Sequence, residues 1–236
     1  MSRDSSTPEP VVAIVAAAGS GVRLGDSSAG GFGPKALRTL AGVSLLRHSV
    51  DHLVVGGVGR CIIVCRPEHQ DLVRKALRGV PAQIALADGG PSRQESVGEG
   101  LKLLPRGTEV VLVHDAARPL VPTQVVARVI DAVRAGAQAV VPVVAVGDSI
   151  RQVDGGDSWP VDRATLRAVQ TPQGFAADVL VRAHREAAHL GYTDDAAICE
   201  AIGAHVELVE GSPLSMKITR PTDFAMAEQL AGLARL

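Results

Sequence analysis

The sequence predicts an α/β fold, with a mainly parallel sheet that carries helices on both faces. Short continuous apolar runs alternate with segments of helical periodicity, as expected for parallel strands connected by helices. With 46% hydrophobic residues, the chain of 236 residues has enough apolar material for a full core. We expect a flexible tail at residues 1–10 and a single domain at residues 11–236.

The predicted elements follow one another regularly along the chain. Apolar runs typical of strands buried on both faces occur at residues 11–18, 61–65, 82–87, 110–113 and 139–144. Helical patterns lie between them at 45–55, 68–77, 94–104 and 124–135. Pro67 and Pro122 stand where two of these helices begin. Further helices are predicted at 176–189, at 194–202 and from Pro221, with strands at 206–209 and 216–219.

The alternation of strands and helices breaks after residue 144. Two alternating, polar-rich segments, 149–153 and 164–170, flank the turn-rich residues 154–158. This pattern predicts a long hairpin, a β-arm at about residues 147–171, that projects from the sheet. A two-stranded arm alone is marginally stable in water, so it either packs on a partner surface or is an ordinary surface hairpin.

Composition excludes several classes of protein. The formal net charge of −1 argues against a general nucleic-acid binder, which normally carries a basic surplus. No apolar run approaches the ~20 residues of a membrane helix, so no membrane partner is predicted. Because the N-terminus lacks an apolar signal core and Cys61, Cys65 and Cys199 are odd in number, we predict a cytoplasmic protein with reduced, buried thiols.

The loop after the first strand has the composition of a phosphate-binding loop. It reads Ala17-Ala18-Gly19-Ser20-Gly21-Val22-Arg23-Leu24, and a Gly-rich stretch then leads to Pro34-Lys35. Glycines let backbone amides approach an anion at the end of a parallel strand, and Arg23 and Lys35 can neutralise its charge. Neither the P-loop order nor the dinucleotide fingerprint matches this loop.

Two segments further along carry candidate functional side chains. Gly89-Gly90-Pro91-Ser92-Arg93-Gln94-Glu95-Ser96 leads into a helix, and His114-Asp115-Ala116-Ala117-Arg118-Pro119 follows an apolar strand. At a strand's carboxyl end, Asp115 is placed to engage Mg²⁺ or a ribose, or it is a turn-forming residue. His114 fits a packed or hydrogen-bonded histidine better than a catalyst.

Three more motifs complete the set. They are Thr171-Pro172-Gln173, Tyr192-Thr193-Asp194-Asp195-Ala196 and Lys217-Ile218-Thr219-Arg220-Pro221. In the second, Thr193 or Asp194 also fits the N-cap of a helix.

The first loop resembles the signature of sugar-phosphate nucleotidyltransferases, which share a Rossmann-like fold and bind a nucleoside triphosphate over that loop. All the motifs in this order resemble the 2-C-methyl-D-erythritol 4-phosphate cytidylyltransferase family, from about Val11 to the end of the last helix. The resemblance implies that CTP and 2-C-methyl-D-erythritol 4-phosphate react to give 4-diphosphocytidyl-2-C-methyl-D-erythritol and pyrophosphate, in the non-mevalonate isoprenoid pathway. It also implies Mg²⁺ as cofactor and a homodimer formed through the β-arm.

The resemblance further implies a role for each matching position. The catalytic residues would be Arg23, Lys35, Arg163 and Lys217. The nucleotide would be held by Ala17, Ala18, Gly19, Gly21, Gly89, Gly90 and Ser96. The second substrate would contact Asp115, Arg118, Ser149, Arg163, Thr171, Thr193 and Lys217, with Asp115 also a candidate Mg²⁺ ligand. Arg163 and Thr171, carried by the β-arm, would cross to a partner subunit's site.

Three other functions remain open from the residues alone. One is another polyol-phosphate cytidylyltransferase, for example one that uses ribitol 5-phosphate. Another is a nucleotide-sugar glycosyltransferase, although His114-Asp115-Ala116 lacks the second Asp of the Asp-x-Asp metal motif expected there. The third is a non-catalytic nucleotide-binding regulator, which would bind CTP and release no pyrophosphate.

Overall fold

A mainly parallel sheet runs through the centre of the computed structural model, which describes residues 11–19, 34–187, 191–192 and 194–233. The strands described are β1 (Val12–Ala16), β2 (Thr39–Leu40), β3 (Val43–Ser44), β4 (Arg60–Cys65), β5 (Gln83–Asp88), β6 (Val110–Asp115), β7 (Ala139–Ala145), β8 (Ile150–Asp154), β9 (Asp157–Val161), β10 (Arg167–Val169), β11 (Gln173–Ala176) and β12 (Val206–Glu210). Eight of these form the sheet in the order β10-β7-β11-β6-β1-β4-β5, with β12 also paired to β7. Within it, β10 and β11 run antiparallel to their neighbours.

Helices cover both faces of this sheet, which confirms the predicted α/β class. The helices described are α1 (Leu45–Val55), α2 (Gln70–Ala76), α3 (Arg93–Leu101), α4 (Thr123–Arg134), α5 (Ala177–Glu186), α6 (Asp195–Ala201) and α7 (Pro221–Leu233). Buried side chains of α1, α2 and α4 share one apolar cluster, and those of α3, α5 and α6 share the other. Helix α7 contributes to a third, smaller cluster with β2.

The central strand β1 explains why the strands read as continuous apolar runs. Ala13 and Val15 point into one apolar cluster, whereas Val12 and Ile14 point into the other, and all four are fully buried. Successive side chains alternate between the faces, so a strand covered on both sides needs apolar residues at every position. Because β1, β4, β5 and β6 are parallel, the segments that follow them all leave the sheet at one edge.

The β-arm differs from its prediction. The hairpin pairs β8 with β9 through Gly155 and Gly156, and Gly155 has a φ of 54°, which a glycine adopts without strain. Residues 164–170, predicted as its returning strand, contain β10 instead, which pairs with β7 in the main sheet. Most side chains of β8 and β9 are exposed, so no alternation of buried apolar residues distinguished β9 in the sequence.

Two other predicted elements need correction. Residues 216–219 were expected to form a strand, but the structure assigns no strand to this described segment. The predicted helix at 68–77 begins as a 3-10 turn, Pro67–His69, before α2. The expected tail at residues 1–10 lies outside the described residues.

The cysteines are placed as predicted. Cys61, Cys65 and Cys199 are buried free thiols, and burial raises the pKa of Cys61 to about 12. None of the helices described has the length and apolar character needed to cross a membrane.

Candidate active site

A cleft of about 670 Å³ opens where β1, β4, β5 and β6 end. Its walls come from the segments that follow these strands, from residues 35–36 and from the segment before α7. Open α/β sheets bind ligands at this edge. The cleft is lined by Ala16, Ala17, Ala18, Gly19, Lys35, Ala36, Arg66, Gly89, Gly90, Pro91, Ser92, Arg93, Ser96, Asp115, Ala116, Ala117, Lys217 and Thr219.

Gly89 and Gly90 form a turn between β5 and α3 that has no room for a side chain. A Cβ on Gly89 would lie 2.5 Å from Cβ of Ala18, and one on Gly90 would lie 2.6 Å from Cβ of Glu95. The buried Ser96 holds the turn from α3, because its Oγ accepts a hydrogen bond of 3.1 Å from the Gly90 amide. The backbone of this turn therefore forms part of the cleft wall directly.

Asp115, the last residue of β6, gathers three cationic side chains. Its Oδ1 accepts a hydrogen bond from Arg93 Nε at 3.3 Å, and its Oδ2 lies 2.8 Å from Lys217 Nζ and 3.9 Å from Arg118 Nε. Burial alone would raise the pKa of Asp115, but the charges of Arg93 and Lys217 outweigh it and hold the pKa below its usual range. The carboxylate is therefore ionised whenever the protein is folded near neutral pH.

Lys35 and Lys217 reach the cleft from opposite parts of the chain. Lys35 begins a 3-10 turn, Lys35–Leu37, whereas Lys217 follows the 3-10 turn Pro213–Ser215. The Lys217 segment is fixed beside β6, because the Ile218 amide donates a hydrogen bond of 2.8 Å to the Ala117 carbonyl. Two ammonium groups, beside a turn whose lack of side chains lets a ligand approach the backbone, can together bind and neutralise a polyphosphate.

His114 and Thr171 lie behind the Asp115 backbone, away from the cleft lining. Thr171 Oγ1 accepts a hydrogen bond from the Asp115 amide at 3.1 Å and lies 3.1 Å from His114 Nδ1. Burial lowers the pKa of His114 to about 4, so the ring is neutral and its Nδ1 can accept the Thr171 hydroxyl proton. As predicted, His114 is a buried, hydrogen-bonded histidine and not a cleft residue.

Comparison with known proteins identifies the family. The family model for 2-C-methyl-D-erythritol 4-phosphate cytidylyltransferase (IspD) matches residues 11–232 of this chain. The chain belongs to the IspD family.

Full-length relatives and solved structures agree with this assignment. The protein named 2-C-methyl-D-erythritol 4-phosphate cytidylyltransferase in Streptomyces avermitilis is 44% identical over 250 residues, which cover 99% of this chain and 98% of the relative. Its namesake in Saccharopolyspora erythraea is 46% identical over 225 residues, which cover 92% of this chain and 97% of the relative. The crystal structure of the Thermus thermophilus enzyme of that name matches with a TM-score of 0.78 and 33% identity, and covers 94% of this chain and 99% of its own.

The structure brings most of the predicted IspD site residues together. The cleft is lined by Ala17, Ala18, Gly19, Lys35, Gly89, Gly90, Ser96, Asp115 and Lys217. Arg118 lies beside this set but does not line the cleft. Its Nη1 donates a hydrogen bond of 2.7 Å to the Ser215 carbonyl, and its Nη2 donates one of 3.3 Å to the Val169 carbonyl. Arg23, Gly21 and Thr193 lie outside the described residues.

The residues assigned to the β-arm do not stay together. Ser149 and Arg163 are exposed near its base, where Arg163 donates a hydrogen bond to the Gly147 carbonyl, and neither lines the cleft of its own chain. Thr171, expected to be carried by the arm towards a partner, is instead 5% exposed and packed behind Asp115 in its own chain. It lies just before β11, which is embedded in the main sheet.

The sequence interpretation assigned no role to two residues of the site, Arg66 and Arg93. Arg66 lines the cleft after β4, and its position after a buried strand was the signal that could have identified it. Arg93 was named only as part of the motif that leads into a helix, yet its partners are Asp115 and the buried Asp195. Asp194 is the N-cap of α6, accepting from the Ala197 amide at 2.9 Å, which leaves Asp195 available for this other contact.

Proposed function

We propose that the cleft carries out the reaction for which the family is named. A phosphate oxygen of 2-C-methyl-D-erythritol 4-phosphate attacks the α-phosphorus of CTP, forming a new P–O bond while the bond to the β-phosphate breaks and pyrophosphate leaves. The observation that carries this proposal is the convergence of Lys35, Lys217 and the Gly89–Gly90 turn on one cleft. Two anions must meet there, so charge neutralisation and alignment are the main catalytic tasks.

The nucleotide would lie over the loops that follow β1 and β5. Ala17, Ala18 and Gly19 line the cleft next to the Gly89–Gly90 turn, which lies close to Ala18. The Ser96 hydroxyl braces that turn through the Gly90 amide. Lys35 would neutralise triphosphate oxygens, together with Arg23, which lies outside the described residues.

The second substrate would lie against Asp115 and Lys217. Lys217 has 40% of its side chain exposed, so its ammonium group can bind a phosphate while it remains near Asp115. A phosphate nucleophile is already ionised near neutral pH, so no general base is needed. Arg118 and Thr171 support this region from behind, through the Ser215 carbonyl and the Asp115 amide respectively.

Mg²⁺ is proposed as the cofactor. The described residues contain no group of three or more His, Cys, Asp or Glu side chains that could hold a metal ion. Asp115 faces the cleft, but its oxygens already contact Arg93 and Lys217. Asp115 is the residue that would help to hold a cation bound with the triphosphate, and such an ion would offset negative charge on the triphosphate.

A homodimer formed through the β8–β9 hairpin is also proposed. This hairpin exposes Val153 to 72% and Trp159 to 41%, and two-stranded hairpins are marginal in water without a partner surface. Arg163 does not line the cleft of its own chain, which leaves it available to a partner's cleft. The buried free thiols support a cytoplasmic location, where thiols stay reduced.

Pyrophosphate release tests the function directly. The purified protein is incubated with each of the four common nucleoside triphosphates, with and without 2-C-methyl-D-erythritol 4-phosphate, and with ribitol 5-phosphate in parallel. The proposal expects release only when CTP and the methylerythritol phosphate are both present. If pyrophosphate is released with CTP and ribitol 5-phosphate but not with CTP and the methylerythritol phosphate, the substrate is a different polyol phosphate. If CTP binds and no pyrophosphate is released, the protein is a nucleotide-binding regulator.

A further inference from the structure

A buried carboxylate outside the cleft is linked to the site through Arg93. Asp195 is fully buried, and its Oδ2 accepts a hydrogen bond of 2.6 Å from Arg93 Nη1. Its Oδ1 lies 3.0 Å from His184 Nε2, which must be the donor because a carboxylate oxygen only accepts. Both oxygens of Asp195 are therefore committed, one towards the cleft and one towards helix α5.

Arg93 links Asp195 to the wall of the cleft. The guanidinium group is planar and rigid, so a hydrogen bond at one nitrogen fixes the directions of the others. Nη1 contacts Asp195, and Nε contacts Asp115 Oδ1 at 3.3 Å. The location of Asp195 consequently determines where Arg93 meets Asp115.

Asp115 in turn restricts the position of the Lys217 ammonium group. One carboxylate oxygen contacts Arg93, and the other lies 2.8 Å from Lys217 Nζ. Lys217 is the cation proposed to orient the substrate phosphate. A shift of Arg93 would rotate or move the Asp115 carboxylate and, with it, the ammonium group.

The start of α6 is held firmly enough to act as an anchor. The Asp194 side chain caps the helix through the Ala197 amide, and Gln173 Oε1 of β11 accepts a hydrogen bond of 3.3 Å from the Ala196 amide. Gln173 is fully buried in the main sheet. Asp195 thus has a fixed position relative to β6, the strand that carries Asp115.

We propose that Asp195, oriented by His184, is a positioning residue for the cytidylyl transfer, and this inference rests on the proposed function. It holds Arg93 so that the Asp115–Lys217 pair stays in place at the cleft wall. Neither Asp195 nor His184 lines the cleft, so both act through Arg93 and not on substrate.

Asp195→Asn separates positioning from simple electrostatics. This change removes one negative charge, so attraction of the cleft for phosphates does not fall. If Asp195 positions Arg93, we expect kcat to fall by about 10- to 100-fold, with KM for both substrates unchanged or lower, because small misplacements near reacting groups cost up to about 10²-fold in rate. If Asp195 acts only through its charge, we expect a lower KM with unchanged kcat.

Asp194→Asn is the matched control, since it makes the same chemical change one residue earlier. Asn caps helices as well as Asp does, so α6 should be retained and kcat should stay at the wild-type value. Thermal melting of each variant shows whether it is folded, so that kcat is compared only between folded proteins.

Substitution of His184 provides a second test if Asp195→Asn does not fold. In His184→Gln the amide can still donate to Asp195 Oδ1, whereas His184→Phe keeps a ring and removes the donor. The proposal expects a lower kcat in His184→Phe and recovery in His184→Gln. Wild-type kcat in a folded Asp195→Asn or His184→Phe protein would overturn it.

A crystal structure makes the test independent of activity. In the Asp195→Asn protein, or in His184→Phe if the former does not fold, the distance from Lys217 Nζ to Asp115 should increase from 2.8 Å. An unchanged Arg93–Asp115–Lys217 arrangement overturns the inference. Absence of pyrophosphate release from the wild-type protein would instead contradict the proposed function.

Discussion

The Lys217 ammonium lies 2.8 Å from the Asp115 carboxylate, although one residue precedes the last helix and the other ends a central strand. Asp115 also contacts Arg93 and Arg118, so a single negative charge is shared by three cations. Lys217 is therefore held in place without being fully neutralised. A cation in this state is suited to receive an incoming phosphate group.

Lys217→Ala should lower kcat by roughly 10²–10³, the usual cost of losing one aimed charge donor. Folding should be retained, because 40% of the Lys217 side chain is exposed and Arg93 still pairs with Asp115. The measurement is steady-state pyrophosphate release together with a thermal melt. Lys102→Ala is the control. Lys102 is the C-cap of α3, its side chain is 68% exposed, and its loss should change neither the rate of pyrophosphate release nor the melting temperature. Wild-type kinetics in the Lys217 variant would remove this residue from the mechanism.

Gly89→Ala should raise the Kd of CTP by about 10-fold or more, because overpacking of this kind costs about 1–3 kcal/mol. The new Cβ would lie 2.5 Å from Cβ of Ala18, so the two loops proposed to hold the nucleotide must move apart. Titration calorimetry with CTP measures the effect without turnover. Gly232→Ala is the control, since its Cβ would enter open space on α7, and it should leave CTP affinity unchanged. Equal affinities in the two variants would show that the Gly89 turn does not contact the nucleotide.

The parallel half of the fold could be predicted because burial on both sides of the sheet leaves a direct mark on the sequence. Strands β1, β4 and β6 are apolar at successive positions along most of their length, and helix α4 is apolar at helical spacing. The wrong element predictions occur where this signal is absent or misleading. Met216 and Ile218 alternate with polar residues as in a strand, but they lie in a loop. The Ile218 side chain is buried there, and the Ile218 amide donates a hydrogen bond to the Ala117 carbonyl.

The site could be predicted only as far as its residues follow strand ends or occupy the family's motifs. Lys35, Asp115 and Lys217 were found in this way, and the structure places them along one cleft. The partnership of Arg93 with Asp195 could not be found, because these residues belong to helices that meet only through tertiary packing. Local spacing holds no information about such a pair.

Trp159 should report the proposed dimer. It is the single tryptophan of the chain, lies on β9 and is 41% exposed in the isolated subunit. If the hairpin packs against a partner, dilution to the monomer should move its fluorescence emission to longer wavelength, in step with the mass measured by sedimentation. Val153→Asp on the same hairpin should shift both transitions to higher protein concentration. An emission spectrum that stays constant while the mass halves would place the dimer contact elsewhere.

Mixing two inactive variants tests whether Arg163 acts in a partner's cleft. Arg163→Ala and Lys217→Ala chains should each lose most activity alone. A mixed dimer would contain one site with both residues intact, so random exchange should restore roughly a quarter of wild-type activity. The assay is pyrophosphate release after exchange, with mixed dimers isolated by two different affinity tags. Unchanged inactivity of the isolated mixed dimers would assign Arg163 to its own subunit.

His114 should make the protein less stable as the pH falls from about 6.5 to 4. Burial lowers the pKa of His114 from 6.5 to about 4 in the folded state, so in this range the unfolded chain binds a proton that the folded chain does not. The free energy of unfolding therefore rises with pH across this window, by about 3 kcal/mol in total for this group. Asp115 has a lowered pKa when folded, so its contribution is lost mainly below the window, as the unfolded carboxylate becomes protonated.

Urea denaturation at several pH values between 4.5 and 7 checks this dependence. In His114→Asn the amide oxygen can still accept the Thr171 hydroxyl, but the titrating group is gone. The variant should show a flatter change in unfolding free energy with pH, whatever its stability at pH 7. A slope in His114→Asn equal to that of the wild-type protein would show that the pH dependence does not come from the buried ring behind Asp115.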